Sequence, residues 1–204
     1  MADFTTWDAG GGKVAVRKDL RVPMRDGVEL AADVYHGIED KPRPALVALS
    51  PYGKELQAPA LTTPSQRRPS PMWDGCIEAG DIARVVKEDY AHVIGDLRGS
   101  GDSGGEMIGN YNAGGVPLGQ DAYDFIEWVA EQPWCDGNVG MIGISYFGSM
   151  QVLAARDAVA TPVSRTPSSN PACRRSTRRR SWRSWSNSGS PTRTWPPGRT
   201  WCTC

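Results

Sequence analysis

The first 160 residues combine two spacings of apolar side chains, one typical of strands and one typical of helices. Lys13 to Arg25 and Val28 to His36 are strand-like runs rich in valine and other apolar residues. The dipeptide Asp26-Gly27 between them is typical of a hairpin turn. We therefore expect an antiparallel hairpin at one edge of a sheet.

Three further runs are short and almost continuously apolar: Pro44 to Ser50, Tyr90 to Asp96 and Val139 to Ser145. Such runs are typical of strands covered on both faces, as in a parallel sheet. Gln120 to Gln132 carries apolar residues at i, i+3, i+4, i+7 and i+8, which predicts an amphipathic helix, and Tyr146 to Arg156 predicts a second helix. This order of strands and helices indicates an α/β fold with helices on both faces of the sheet.

The last 44 residues differ from the rest in charge and composition. Residues 1–160 carry 14 Lys and Arg against 23 Asp and Glu, whereas residues 161–204 carry nine Arg and no acidic residue. This tail has one Val and no Leu, Ile, Met, Phe or Tyr. It therefore lacks a buried face to offset the cost of ordering the backbone, about 1 to 2 kcal/mol per residue. We expect one folded domain over residues 1–160 and a disordered tail over residues 161–204.

Two interpretations of this tail, which is rich in Arg, Ser, Pro and Trp, compete. Its arginines, with Trp182 and Trp185 among them, could neutralise phosphates and stack on bases, as in a nucleic-acid or anionic-membrane surface. Alternatively, a GC-rich coding sequence read out of frame yields the same residues in excess. Nine Arg without a single Lys in the tail favour the second interpretation, because phosphate-binding segments usually mix both cations. We therefore expect no nucleic-acid partner.

The cysteines and the apolar runs limit the class of protein. Five cysteines without a C-x-x-C pair indicate neither a disulfide framework nor a zinc site, and free thiols suit a reducing cytoplasm. No run approaches the roughly 18 to 20 uncharged apolar residues that span a bilayer, and the first residues lack the basic start of a secretory signal. The sequence thus predicts a cytoplasmic protein without a metal or a membrane partner.

A glycine pattern at Gly99 to Gly104 has the form G-x-G-x-x-G, with Asp121 downstream. This is the spacing of a dinucleotide-binding turn, which must open a helix. The residues that follow are interrupted by Gly109, Gly114 and Pro117 and show no helical spacing. We therefore expect no cofactor.

Candidate chemistry lies at Gly143-Ile144-Ser145-Tyr146-Phe147-Gly148, between the third apolar run and the second predicted helix. A serine on a tight turn from strand to helix is the arrangement of a nucleophile elbow. The Ser145 hydroxyl would project above the carboxyl end of the strand, where the backbone N–H of Tyr146 could donate to an oxyanion. The small Gly143 and Gly148 would let the chain approach closely. Taken alone, a serine before a helix is more often a helix cap.

Further segments accompany this turn: V-P-M-R-D-G-V at 22–28, A-D-V-Y at 32–35, S-P-Y-G-K at 50–54, D-L-R-G-S-G-D-S-G-G at 96–105, D-A-Y-D-F-I-E-W at 121–128 and W-C-D-G at 134–137. Together they resemble the CocE/NonD-type α/β-hydrolases, the family of cocaine esterase and the Xaa-Pro dipeptidyl-peptidases. The resemblance covers most of residues 13–156 and stops near Arg156. In that family the elbow has the form G-x-S-Y-x-G, which residues 143–148 match. The implied fold is a partial α/β-hydrolase sheet with an N-terminal antiparallel hairpin.

The resemblance implies a serine hydrolase that cleaves acyl esters, amides or Xaa-Pro dipeptides, in small molecules or short peptides, through an acyl-serine intermediate. It implies that Ser145 attacks the acyl carbonyl, while the Tyr52 hydroxyl and the Tyr146 backbone N–H hold the oxyanion. Outside the S-P-Y-G-K context, Tyr52 would be interpreted as a half-buried aromatic residue at a strand end.

The base and the acid of a catalytic triad are missing from the expected positions. α/β-Hydrolases supply them in the order Ser, Asp or Glu, then His, but no histidine follows Ser145 in this sequence. His36 and His92 precede the serine, and we expect both to be structural. We therefore expect a hydrolase fragment that is inactive by itself. The alternative is a non-enzymatic pseudoenzyme or a binding protein whose basic Arg/Trp tail contacts nucleic acid.

Overall fold

The computed structural model describes residues 4–8, 12–58, 78–107, 118–160 and 202–203. Its strands are β1 (Thr5–Asp8), β2 (Lys13–Pro23), β3 (Glu29–Gly37), β4 (Arg43–Ser50), β5 (Ala91–Asp96), β6 (Cys135–Met141) and β7 (Cys202–Thr203). Its helices are α1 (Ile82–Lys87), α2 (Leu118–Glu131) and α3 (Tyr146–Ala160), with a 3₁₀ turn at Glu55–Gln57. The strands form one sheet in the order β1-β2-β3-β5-β4-β6-β7.

The predicted hairpin is confirmed, since β2 and β3 pair antiparallel with Val22 opposite Leu30. The turn closes where the Met24 N–H donates to the Val28 carbonyl at 2.8 Å, and Gly27 provides the positive φ of +85° that the turn needs. The predicted position at the sheet edge is wrong, because β1 pairs outside β2 and β3 pairs with β5. The four residues of β1 are too few for a recognisable alternation of apolar side chains.

The central strands β4, β5 and β6 are parallel and end at the same edge of the sheet. Ser50 at the end of β4 lies beside Asp96 at the end of β5, and Val47 lies beside Met141 at the end of β6. The predicted runs for β4 and β5 are confirmed within a residue or so, but β6 starts earlier than predicted and ends at Met141. The strand ends there because Gly143, with a φ of +125°, turns the chain away from β4.

The parallel strands are covered on both faces, as predicted from their continuous apolar runs. In β4, Ala45, Val47 and Leu49 belong to the larger core cluster, which contains the buried residues of α2. Ala48 points to a smaller cluster that contains Ile82 of α1. Helices α2 and α3 pack against each other and against the sheet. The short α1 lacked a periodic pattern long enough to predict it.

The structure describes little of the predicted tail. Most of the predicted tail, residues 161–204, lies outside the described residues; within it, the structure pairs β7 in parallel with Gly140 and Met141 of β6. No helix in the described part of the chain is long and apolar enough to cross a membrane.

Candidate active site

Ser145 lies on the turn between β6 and α3, at the carboxyl edge of the parallel strands. Its φ is +57°, a conformation that costs a non-glycine residue of order 1–3 kcal/mol. Ser145 is exposed, whereas the next two residues, Tyr146 and Phe147, are buried. Helix α3 begins at Tyr146, so the backbone N–H groups of its first turn adjoin the serine and point away from the body of the helix. The structure thus presents a hydroxyl on a strained strand-to-helix turn.

The two glycines predicted to support this turn differ in their surroundings. A Cβ added at Gly143 would overlap the Cβ of Phe147 and would lie 3.1 Å from the Glu78 carbonyl oxygen. A Cβ added at Gly148 would meet only the Gly143 carbonyl oxygen, at an ordinary 3.8 Å. Close approach and a positive φ therefore require glycine at position 143, whereas the structure gives no steric reason for glycine at position 148.

Tyr52 follows β4 and reaches the same edge of the sheet. Its ring makes edge contacts with the rings of Tyr146 and Phe147, at centroid distances of 5.9 and 6.3 Å. The Tyr52 backbone N–H donates to the Ser50 hydroxyl at 3.1 Å, and 45% of the residue is exposed. The structure therefore brings Tyr52 next to the turn that carries Ser145.

A buried lysine anchors the Tyr52 loop, defined here as residues 51–58. The Lys54 side chain is 1% exposed, and its Nζ lies 2.8 Å from Asp19, 2.6 Å from Asp102 and 3.7 Å from Asp33. Burial opposes the charge of Lys54, but its hydrogen bonds to Asp102 and Asp19 and the negative charges around it together raise its pKa. Lys54 is thus a fixed cation that ties the loop to β2, β3 and the turn after β5.

Asp96, the last residue of β5, holds the same loop through its carboxylate. One oxygen accepts the Lys54 backbone N–H at 2.6 Å and the other accepts the Asp102 N–H at 3.0 Å. Burial raises the pKa of Asp96, and these backbone donors partly oppose that rise. A Cβ at Gly101 would overlap the Asp96 carboxylate. Within residues 99–107 the glycines therefore close a turn around Asp96 and open no helix, unlike the glycines of a dinucleotide-binding turn.

A bridge of two hydrogen bonds joins the Tyr52 loop to the Ser145 turn. Gln57, at 2% exposure, accepts the Glu78 backbone N–H on its Oε1 at 3.1 Å. The Glu78 carbonyl oxygen in turn accepts the Ile144 N–H at 3.2 Å. From the other side of the turn, Gln151 donates its Nε2 to the Gly143 carbonyl oxygen at 3.1 Å. Both polar groups of the Gly143–Ile144 peptide are therefore held: the carbonyl by buried Gln151, and the N–H by Glu78, which is itself held by buried Gln57.

Both histidines are buried and bound to backbone carbonyls. His92 Nε2 donates to the Ala79 carbonyl oxygen at 3.0 Å, and burial lowers its pKa to about 4. His36 lies with Nδ1 2.7 Å from the Gly37 carbonyl oxygen, and burial lowers its pKa as well. Within the described residues neither histidine hydrogen-bonds to Ser145. These positions agree with the structural roles expected from the sequence.

Sequence reasoning missed Lys54, Asp96 and Gln57 as parts of this edge. Lys54 and Asp96 follow or end buried apolar runs, and charged residues at the carboxyl ends of parallel strands are a usable signal for a site. Gln57 carries no such signal, because its partner Glu78 is 21 residues away. Among the residues that the structure describes, no group of three or more His, Cys, Asp or Glu could hold a metal ion, and the predicted absence of a metal stays a prediction.

Comparison with known families identifies the lineage. The family model described as X-Pro dipeptidyl-peptidase (S15 family) matches residues 26–188, more than half of the chain. The matched range extends past Arg156, so the resemblance does not stop there as the motifs alone suggested.

Individual relatives agree with this assignment. Cocaine esterase from Rhodococcus sp. is 39% identical over 148 residues, which are 72% of this chain and 22% of that enzyme. A CocE/NonD family hydrolase from Staphylococcus aureus superposes with a TM-score of 0.57 at 28% identity, covering 72% of this chain and 26% of the other. An α-amino acid ester hydrolase superposes with a TM-score of 0.53 at 30% identity, covering 74% and 24%. The chain spans about a quarter of the length of these relatives. By its family match, the chain belongs to the X-Pro dipeptidyl-peptidase (S15) family of hydrolases.

Proposed function

We propose that this chain carries the nucleophile and the oxyanion site of a serine hydrolase acting on acyl esters, amides or Xaa-Pro dipeptides. The observation that carries the proposal is the exposed Ser145 with a φ of +57° at the start of a helix. A serine that served only as a helix cap would have extended, unstrained backbone.

In the proposed reaction, the Ser145 Oγ attacks the acyl carbonyl carbon and gives up its proton to a base. Negative charge then develops on the carbonyl oxygen, where the Tyr146 backbone N–H and the Tyr52 hydroxyl donate hydrogen bonds. The carbon–oxygen or carbon–nitrogen bond breaks, the leaving group takes a proton, and an acyl-Ser145 ester remains. Attack by water releases the acid and restores the serine. Removing one such donor typically costs about 3 to 4 kcal/mol of transition-state stabilisation.

We further propose that this chain by itself turns over slowly. His36 and His92 are buried and bonded to carbonyl groups, so neither is placed to take the proton from Ser145. In a serine protease, loss of the histidine base lowers kcat on the order of 10⁶-fold.

Covalent labelling with a fluorophosphonate tests the proposal without requiring turnover. We expect slow labelling that mass spectrometry localises to Ser145 and that disappears in Ser145→Ala. Ser149 is the matched control, because it is also exposed, lies on the first turns of α3 and bonds to the Ser145 carbonyl oxygen at 3.4 Å. Ser149→Ala should keep the labelling. Equal labelling of Ser145→Ala and the unaltered chain would refute Ser145 as nucleophile.

A further inference from the structure

The two proposed halves of the oxyanion site stand on different segments beyond the ends of their strands. Tyr52 follows β4 and Tyr146 follows β6. These two strands are directly joined as far as the hydrogen bond from the Ile142 N–H to the Val47 carbonyl oxygen, at 3.0 Å. Past that bond, the relative position of the two tyrosines depends on contacts between the loops themselves.

Two kinds of contact connect the loops, and they differ in how firmly they fix a distance. The ring of Tyr52 meets the ring of Tyr146 edge-on, and such apolar contacts are non-directional and tolerate small shifts. Hydrogen bonds have narrow ranges of length and angle. The bridge from Gln57 through Glu78 to Ile144 consists of two such bonds.

The bridge is shielded from solvent at the end that belongs to the Tyr52 loop. Gln57 is 2% exposed, so water has little access to replace its side-chain oxygen as the acceptor for Glu78. A buried N–H without an acceptor destabilises the fold by about 1–3 kcal/mol, because it has lost its hydrogen bond to water as well. The segment at Glu78 would therefore shift when Gln57 is shortened or made apolar, and Ile144 would lose its fixed partner.

We infer that Gln57 is a positioning residue that sets the Tyr52 hydroxyl relative to the Tyr146 N–H, an inference that rests on the proposed function. Gln57 acts through Glu78 and Ile144 and does not itself contact the reacting atoms. Oxyanion donors must be held within about 0.5 Å of their productive place, and a misplacement of about 1 Å can cost about 100-fold in rate.

Hydrogen exchange of the full chain tests the bridge independently of any reaction. In Gln57→Met, which has similar size and no strong acceptor, we expect the Ile144 amide to exchange about tenfold faster, the effect of losing about one hydrogen bond. Gln57→Glu retains an acceptor oxygen and should keep the slow exchange. Gln132→Met is the matched control, because Gln132 donates to the Trp128 carbonyl oxygen at 2.9 Å at the end of α2. Unchanged exchange at Ile144 in Gln57→Met would overturn the inference.

Fluorophosphonate labelling then separates positioning from general loss of structure. We expect Gln57→Met to lower the maximal labelling rate at Ser145 at least tenfold with little change in the half-saturating probe concentration. In a Tyr52→Phe background the same substitution should have less than a twofold effect, since no hydroxyl remains to be positioned. An equal loss in both backgrounds would assign Gln57 a merely structural role and overturn the inference. If the unaltered chain is not labelled at all, the proposed function fails, and exchange at Ile144 alone decides the bridge.

Discussion

The two loops that meet at the proposed site are held by different forces. The Tyr52 loop is fixed by charge, because the buried Lys54 cation is surrounded by carboxylates from three segments and Asp96 accepts two backbone N–H groups. The Ser145 turn is fixed by close packing, with Gly143 against Phe147 and a helix that begins at once. The first loop should respond to loss of charge, and the second to added volume.

The Ser145 turn, which is held by close packing, should show the largest loss of stability. Gly143→Ala would force a side chain into a φ of +125° and onto Phe147. Backbone strain of about 1–3 kcal/mol and overpacking of about 1–3 kcal/mol lead us to expect a fall of about 4 kcal/mol in the free energy of unfolding, measured by urea denaturation.

Gly148→Ala is the matched control for Gly143→Ala. Gly148 lies in α3, and its added Cβ would have only an ordinary contact, so helix propensity should leave stability unchanged or raise it by up to about 1 kcal/mol. If Gly143→Ala cost no more than this control, close packing would not be what holds the Ser145 turn.

The Tyr52 loop, which is held by charge, should show the next largest loss of stability, in Lys54→Met. This change keeps the length of the side chain but leaves the fully buried Asp33 carboxylate, 3.7 Å from Lys54 Nζ, without its ion-pair partner. Removing one partner from a buried ion pair costs about 3–5 kcal/mol. We expect about 3 kcal/mol, the lower end of that range, because the Asp19 and Asp102 partners are more than half exposed and water can screen them.

Lys18→Met separates burial from charge in this experiment. Lys18 also contacts the Tyr52 loop, through an ion pair with Glu55 at 3.3 Å, but both side chains are exposed. Exposed pairs contribute about 0–1 kcal/mol. Losses of similar size in Lys18→Met and Lys54→Met would contradict an anchoring role for the buried network, and the comparison can be read directly from urea midpoints at a fixed pH.

The sequence predicted the packed parts of the fold, including the Ser145 turn, better than the charged contacts of the Tyr52 loop, for a physical reason. Apolar periodicity reports which residues are buried, so the hairpin, β4, β5, α2 and the start of α3 could all be predicted. The elbow pattern also placed Ser145 and Gly143, because a tight turn restricts residue type locally. Spacing did not show that Lys54 is buried, since lysine is almost always exposed and its partners lie 21 to 48 positions away.

The local sequence pattern also did not reveal which strands pair with each other or where β6 begins. The prediction that the hairpin is a sheet edge failed because β1 has only four residues, and β6 was placed too late because Asp136-Gly137 has the composition of a turn. Gly137 is accommodated inside β6 with a φ of +90°. Tertiary pairing overrides such local preferences.

Acid should lower the stability of the folded chain through His92. This residue supports the segment next to Glu78 by donating to Ala79, and burial lowers its pKa from the ordinary 6.5 to about 4. Between these values the unfolded chain binds more protons than the folded one, so stability is full above about pH 6.5 and is lost as the pH falls toward 4. Over the interval from about pH 7 to about pH 5 we expect a loss of about 2 kcal/mol from this group.

Urea unfolding of the unaltered chain and of His92→Val at both pH values measures this contribution. The variant loses the bond to Ala79 at each pH, so that cost cancels in the difference between the two pH values. His36, with a lowered pKa, also weakens the fold in acid, whereas Asp33 and Asp96, whose pKa values are raised by burial, act in the opposite direction. These groups are present in both proteins and cancel as well. A pH dependence that is the same in both proteins would show that His92 is not held neutral by burial in the folded chain.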